Sequence, residues 1–210
     1  MASTRICLVR HGETSWNSER RIQGQIDIDL NTTGEAQARA LRSALAEFSF
    51  AAAYSSDLMR AWRTAGIATA DLGLALTPLP ALRERHFGVL QGVAAHEAAG
   101  RHPEAYRHHQ ARSPEYRYET GESLVGFAER ALSALEALAQ RHPGVDVLVF
   151  THGGVLDAAY RAATGKPLQA PRDFPLGNAA INWIEHQSGA WRLVSWGDSR
   201  HLQGVLDEVA

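Results

Sequence analysis

The sequence predicts a three-layer α/β fold, with a mostly parallel sheet and a small helical insertion over one end of it. Three observations carry this. Short apolar runs alternate with longer amphipathic stretches along the whole chain, the pattern of strands alternating with helices. Two of those runs end in a histidine followed by glycine, at His11-Gly12 and His152-Gly153. The length, 210 residues, suits one domain spanning 1–210, and no repeat, low-complexity tract or linker divides it.

The elements follow in order. Residues 6–9 form a short apolar run, as in a fully buried strand, and stop at Arg10-His11-Gly12. Ala38, Leu41, Leu45 and Phe48 recur on one helical face, so residues 33–48 read as a helix capped by Thr32 or Thr33. Residues 51–54 read as a second strand, and the Ser56-Asp57 pair that follows can cap a helix over 58–72. Residues 76–82 are extended and broken by Pro78 and Pro80. From 93 to 119 the chain is rich in His, Arg, Tyr and Ala with weak apolar periodicity, which reads as short helices and a loop inserted over one end of the sheet. There the His108-His109 pair reads as part of a solvated helix face.

Residues 122–141 place Leu124, Phe127, Ala131, Leu135 and Leu138 on one stripe of a helix ended by Pro143-Gly144. Residues 145–150 read as the clearest strand, and a helix over 155–163 closes at Gly165. Residues 178–185 and 191–195 read as a hairpin turning through His186 to Gly189. An apolar edge strand near 179–184 suggests a homodimer.

Composition excludes several functions. Lys+Arg is 21 against 23 Asp+Glu, a formal charge of −2. General nucleic-acid binding needs a large basic excess. The single cysteine, Cys7, allows neither an internal disulfide nor a cysteine-based metal site. No apolar stretch reaches membrane-spanning length, and no signal-peptide core follows the start, so the expected location is cytoplasmic. All the basic residues but Lys166 are arginine, the better side chain for binding phosphate or carboxylate by two parallel hydrogen bonds.

Ligands of such sheets bind beyond the carboxyl ends of the strands. That rim gathers Arg10, His11, Arg60, Glu84 and His152 from distant parts of the chain. The neighbouring arginines disfavour a metal cation, and neither His-x-x-x-His nor His-Glu-x-x-His spacing surrounds these residues. The chain has neither a Gly-x-Ser-x-Gly nucleophile elbow nor a P-loop. Two arginines beside two histidines suit a multiply charged oxyanion, namely phosphate.

Six blocks, in order, carry a resemblance. They are Leu8-Val9-Arg10-His11-Gly12-Glu13-Thr14 with Asn17, then Arg21-Ile22-Gln23-Gly24 with Asp27-Ile28-Asp29-Leu30. Next come Ser55-Ser56-Asp57-Leu58-Met59-Arg60-Ala61 with Thr64-Ala65, and Leu82-Arg83-Glu84-Arg85-His86-Phe87-Gly88. The last are Gly121-Glu122-Ser123-Leu124 and Thr151-His152-Gly153-Gly154. Together they resemble the histidine phosphatase superfamily, also called phosphoglycerate mutase-like, over nearly the whole chain.

The resemblance implies a phosphatase acting on a small phosphorylated substrate through a phosphohistidine, without metal or other cofactor. It makes His11 the nucleophile and Glu84 the general acid, then base. Arg10, Arg60, His152 and Asn17 would bind the phosphoryl oxygens. Gln23 and Gly24 would contact substrate, with Arg21 and Arg85 as lesser contributors. The arginines should depress the His11 pKa and keep its ring neutral. The alternative from the same family is a cofactor-dependent phosphoglycerate mutase, and the Glu84 to Gly92 block leans that way. The short chain, Gly153-Gly154 where mutases typically carry Gly-Asn, and the C-terminal pattern lean towards phosphatase. A non-catalytic phosphate-binding module is the distant alternative.

Overall fold

The computed structural model describes residues 2–205. Strand β1 (Thr4–Arg10) leads through a one-turn helix α1 (Ser15–Ser18) to α2 (Thr32–Leu45). Then come β2 (Ala52–Ser55), α3 (Met59–Ala68) and β3 (Leu76–Pro78). The insertion contributes α4 (Ala95–Arg101) and α5 (Pro103–Gln110). The chain continues through α6 (Leu124–Arg141), β4 (Asp146–Thr151), α7 (Gly153–Thr164), β5 (Ile181–Gln187) and β6 (Ala190–Asp198).

The six strands form one sheet in the order β3-β2-β4-β1-β5-β6. β3, β2, β4 and β1 run parallel. β5 and β6 extend the sheet as antiparallel strands. Side-chain alternation divides the core into two layers. Ile6, Leu8, Val147 and Val149 point to α6 and α7, where Phe127, Leu135, Val155 and Leu156 complete the first cluster. Cys7, Val9, Leu148 and Phe150 point the other way and pack with Leu41, Leu45, Ala65 and Ala68. Because both faces are covered, the central strands are apolar at successive positions, which is why they read as runs rather than as alternation. Each large aliphatic chain buried there contributes about 2 kcal/mol. The insertion has its own small core of Leu90, Val93, Ala98, Ala105 and Tyr118.

Several local expectations change. Asn31, not Thr32 or Thr33, caps α2: its Oδ1 accepts the Gly34 N–H at 2.8 Å. The helix stops at Leu45, so Phe48 leaves the stripe and packs against Phe50 and Trp183. α3 has Leu58 at its N-cap, whose side chain cannot cap it; Asp27 Oδ1 accepts the Met59 N–H at 2.6 Å instead, and Ser56 Oγ accepts the Leu58 N–H at 3.3 Å. Asp57, offered as part of a cap, is bound by Arg83 instead. The hairpin turn is tighter than expected. It comprises Ser188 and Gly189, both at positive φ, which lets a two-residue connection match the strand twist. β5 is not an edge strand. It pairs with β1 on one side and β6 on the other, so residues 181–184 have no free edge for a second chain.

Candidate active site

β1 and β4 are neighbouring parallel strands, and each ends at one of the two histidines. The His11 N–H donates to the Thr151 carbonyl at 3.0 Å, which carries the pairing one step past the strands. The two rings lie 5.2 Å apart, centroid to centroid. Thr64 fixes the turn after His11: its hydroxyl accepts the Gly12 N–H at 2.9 Å and donates to the Arg60 carbonyl. Gly12 is required there, since a Cβ would collide with the Gly34 backbone. Asn178 anchors the far side, donating from Nδ2 to the His11 carbonyl at 2.9 Å.

His11 is buried, and its Nδ1 lies 2.7 Å from the Gly12 carbonyl oxygen. A carbonyl can only accept, so Nδ1 carries the hydrogen and the Nε2 lone pair is left free in the neutral ring. Burial first, then Arg60 and Arg10, hold the His11 pKa well below the usual histidine range, against a smaller opposing effect of the Gly12 bond. His152 is depressed in the same direction by burial, then Arg60, His11 and Arg10. Its Nε2 is 2.8 Å from the Ser56 hydroxyl, while Nδ1 has no partner.

These shifts set a pH dependence. In the unfolded chain the rings gain protons near pH 6.5, whereas in the fold they stay neutral to lower pH. Below about 6.5 the unfolded state therefore binds more protons, and stability falls as pH falls. The slope is about 1.4 kcal/mol per pH unit for each ring that remains neutral. Urea midpoints should decline from pH 6.5 to 5, and the acid limb of kcat/KM should lie below 6.5. A flat stability profile, or a limb near 7, would contradict the neutral-ring geometry.

A cavity of about 530 Å³ opens over this rim and is lined by Arg10, His11, Asn17, Gln23, Gly24, Arg60 and Glu84, among others. Seven of the eight predicted site residues thus share one cavity. The eighth, His152, is fully buried against His11 and does not reach the lining. Arg60 is also fully buried, donating from Nη1 to the Ile26 carbonyl at 3.0 Å and from Nη2 to Gly24 at 2.7 Å. Burial lowers its pKa to about 10, which leaves it charged at neutral pH. Arg10 donates from Nη1 to the Leu176 carbonyl. Arg10 Nε, Arg60 Nε and His152 Nδ1 are buried without partners. Unpaired buried polar nitrogens are costly, and their grouping here suits an anion with several acceptor oxygens. The N-terminus of α7, beginning at Gly153, adds a positive dipole end at the same rim.

Asn17 uses Oδ1 to accept from Thr14 in a capping box, so its amide nitrogen is the group left for a ligand. Gly24 has φ +56 and sits against Gln91, and Gln23 Oε1 is buried and unpartnered. Arg21 lines the cavity but is bound to Glu19 and the Gly92 carbonyl. Arg85 is turned away into the insertion, where it binds the Glu122 carbonyl and lies over Tyr118.

Glu84 Oε1 accepts the Arg85 N–H at 2.8 Å and Oε2 accepts the Gly154 N–H at 2.9 Å. A Cβ at position 154 would collide with Glu84 Oε1 and crowd Phe127. Gly154→Ala should therefore move the carboxylate and lower kcat by about 10-fold or more, since misplacing a reacting group by about 1 Å is that costly. Unchanged kcat in this variant would show that the seat of Glu84 is not important.

Sequence reasoning missed several neighbours. Arg172 and Leu176, from the loop before β5, line the cavity, and so does His109. His109 is not on a solvated face: it is partly buried, and Nδ1 lies 3.3 Å from the Tyr118 hydroxyl. Burial, then Arg85, Arg112 and Arg172, lower its pKa to about 4. His108 stacks on Tyr116 at 4.0 Å. Among the described residues, no group of three or more His, Cys, Asp or Glu is placed to hold a metal ion, and no helix is long and apolar enough to cross a membrane.

The family model described as "Histidine phosphatase superfamily (branch 1)" matches residues 6–199. The chain belongs to that superfamily. Among its relatives, an Arabidopsis thaliana protein named metal-independent phosphoserine phosphatase is 43% identical over 205 residues, covering 96% of this chain and 84% of that protein. Phosphoglycerate mutase-like protein 4 of the same plant is 38% identical over 202 residues, covering 94% and 86%. Among solved structures, Bacillus stearothermophilus YhfR superposes with a TM-score of 0.88 at 33% identity, covering 95% of this chain and 99% of that one. The α/β architecture is that of histidine phosphatases, and the chain is a hydrolytic enzyme of this superfamily acting on a phosphorylated substrate.

Proposed function

We propose that this histidine phosphatase hydrolyses a small phosphate monoester in two steps through a phosphohistidine on His11, without a metal ion. The observation that carries the proposal is the bond from His11 Nδ1–H to Gly12, which leaves the Nε2 lone pair of a neutral ring in a cavity of arginines.

In the first step Nε2 attacks phosphorus and the P–O bond to the leaving group breaks. The Glu84 proton goes to the departing oxygen. In the second step Glu84 takes a proton from water as its oxygen attacks phosphorus, the P–N bond breaks, and inorganic phosphate leaves. Arg10, Arg60, His152 and the Asn17 amide bind the non-bridging oxygens as their charge redistributes. Gln23 and Gly24 position the substrate. His152 is buried behind His11 and would reach a phosphoryl oxygen with Nδ1, the ring nitrogen left without a partner, while Nε2 is held by the Ser56 hydroxyl.

The name of the Arabidopsis relative makes L-phosphoserine the first substrate to try. Seating of Glu84 on the side-chain-free Gly154 supports phosphatase over mutase, since mutases of the resemblance typically carry Asn at that place. The chain is read as one domain over 1–210, with its 93–119 insertion placed over the active site. The proposed compartment is the cytoplasm, in keeping with a lone buried thiol at Cys7. A homodimer would use β6, the outer strand on its side of the sheet, and light scattering tests it.

The functional test is a panel of L-phosphoserine, 3-phosphoglycerate and p-nitrophenyl phosphate assayed in EDTA. Release of inorganic phosphate at undiminished rate is expected. If bisphosphoglycerate-primed conversion of 3- to 2-phosphoglycerate outruns all hydrolysis, the enzyme is a mutase and the proposal is wrong.

A further inference from the structure

A second cavity, of about 490 Å³, continues from the first beneath the insertion. The two share Ile22, Glu84, Phe87, His109, Gly154 and Arg172 in their linings. A substrate whose phosphoryl group lies at His11 would therefore extend past Glu84 towards Arg172 and His109.

The charges at that junction are organised around Asp157, on α7 one turn beyond Gly153 and Gly154. Asp157 is buried and accepts from three arginines. Arg161 Nε donates at 3.0 Å, Arg172 Nε donates to Oδ1 at 3.0 Å, and Arg112 donates from Nη2. Arg161 is itself buried and is spent on the Pro167 and Ala170 carbonyls. Arg112 is tied down as well, by its Nε bond to the Leu168 carbonyl. Arg172 differs. Its only hydrogen bond among the described residues is the one from Nε, its side chain is 44% exposed, and it lines both cavities. Both terminal nitrogens are left over, on a guanidinium whose plane is set by Asp157.

One carboxylate facing three arginines leaves the junction net positive. The His109 ring beside it stays neutral at pH 7, with its charged form disfavoured by burial and then by the arginines, Arg172 included. Arg172 likewise disfavours the charged form of Arg10, so its field reaches the phosphoryl end of the cleft.

We propose that Arg172, oriented by Asp157, is the specificity-determining residue for the non-phosphoryl half of the substrate, and that it binds a carboxylate there with its two terminal nitrogens. A planar fork held by its Nε matches the two oxygens of a carboxylate. The inference rests on the phosphoryl group sitting at His11, as in the proposed function. It adds that the favoured substrates are phosphomonoesters bearing a nearby carboxylate.

Matched pairs of compounds test this. O-phosphoethanolamine lacks only the carboxylate of L-phosphoserine, and glycerol 3-phosphate replaces that of 3-phosphoglycerate with a hydroxymethyl group. The native enzyme should favour the carboxylated member of each pair by about 10-fold or more in kcat/KM, the scale of a charge-assisted pair. In Arg172→Ala that ratio should collapse to within about two-fold, mainly through KM, and the loss on p-nitrophenyl phosphate should be clearly smaller than the loss on the carboxylated substrates. Arg172→Lys, which keeps the charge but not the fork, should restore only part of it.

A ratio unaffected by Arg172→Ala, or an equal loss on p-nitrophenyl phosphate, would overturn the inference. Calorimetric binding of the same pairs to His11→Ala, with and without Arg172→Ala, reads the carboxylate contact without turnover. Failure of the hydrolytic reading is thereby distinguishable from failure of this one.

Discussion

His11→Ala abolishes turnover and leaves the fold intact. The loss expected is about 10⁴-fold or more, the usual scale when the nucleophile of a covalent mechanism is removed. The fold survives because the backbone at this position is held independently of the ring. The His11 N–H is bound to Thr151, its carbonyl accepts from Asn178, and the Gly12 N–H is bound to Thr64. The deleted ring faces a cavity that already opens to solvent, so no sealed void is created. Far-UV circular dichroism and the thermal midpoint should match the native protein within a few degrees. Retained activity in a folded variant would refute the nucleophile assignment.

Glu84→Gln has the second largest effect, and its signature depends on the leaving group. An alkyl phosphate such as phosphoserine needs its leaving oxygen protonated, so turnover should fall by about 10²- to 10⁴-fold. p-Nitrophenolate leaves without help, so phosphorylation of His11 by p-nitrophenyl phosphate should be far less affected. Water activation in the second step is lost on either substrate. Stopped-flow absorbance should then show a burst approaching one nitrophenolate per enzyme, followed by a slow steady state. Equal losses on both substrates with no burst would mean that Glu84 does not handle the proton. The amide also forfeits one of the two backbone N–H bonds that seat the carboxylate, so a thermal midpoint should accompany the kinetics.

The parts of the site that could be read from the sequence are those attached to regular elements. His11 and His152 follow the ends of β1 and β4, and Arg60 opens α3, so apolar runs bounded by short motifs were enough to bring them to one rim. Glu84 could be placed by its motif, and neither flanking arginine side chain takes its carboxylate, which is held by the Arg85 and Gly154 N–H groups. In the structure Arg83 goes to Asp57, and Arg85 goes into the insertion.

Arg172, Asp157 and His109 could not be read in this way. Asp157 and His109 sit on helices whose partners are set by tertiary packing, and Arg172 sits in an irregular loop that carries no periodic signal. Similarly, the hairpin at the end of the chain was visible as two strands. Its insertion beside β1, which turns β5 from an edge into an interior strand, depends on contacts with residues about 175 positions away. Capping shows the same limit on a small scale. Asn31, Thr32 and Thr33 all bear cap-forming side chains, and only the observed Asn31 to Gly34 bond chooses among them.

The central claim is a covalent phosphate on His11. Rapid quenching of the enzyme with ³²P-labelled substrate, followed by peptide mapping, addresses it most directly. The account predicts a label that is lost in acid, retained in alkali and carried by the peptide containing His11, and that is absent from His11→Ala. A folded, active enzyme that carries no label, or carries it on His152 or in an acid-stable form, would contradict it.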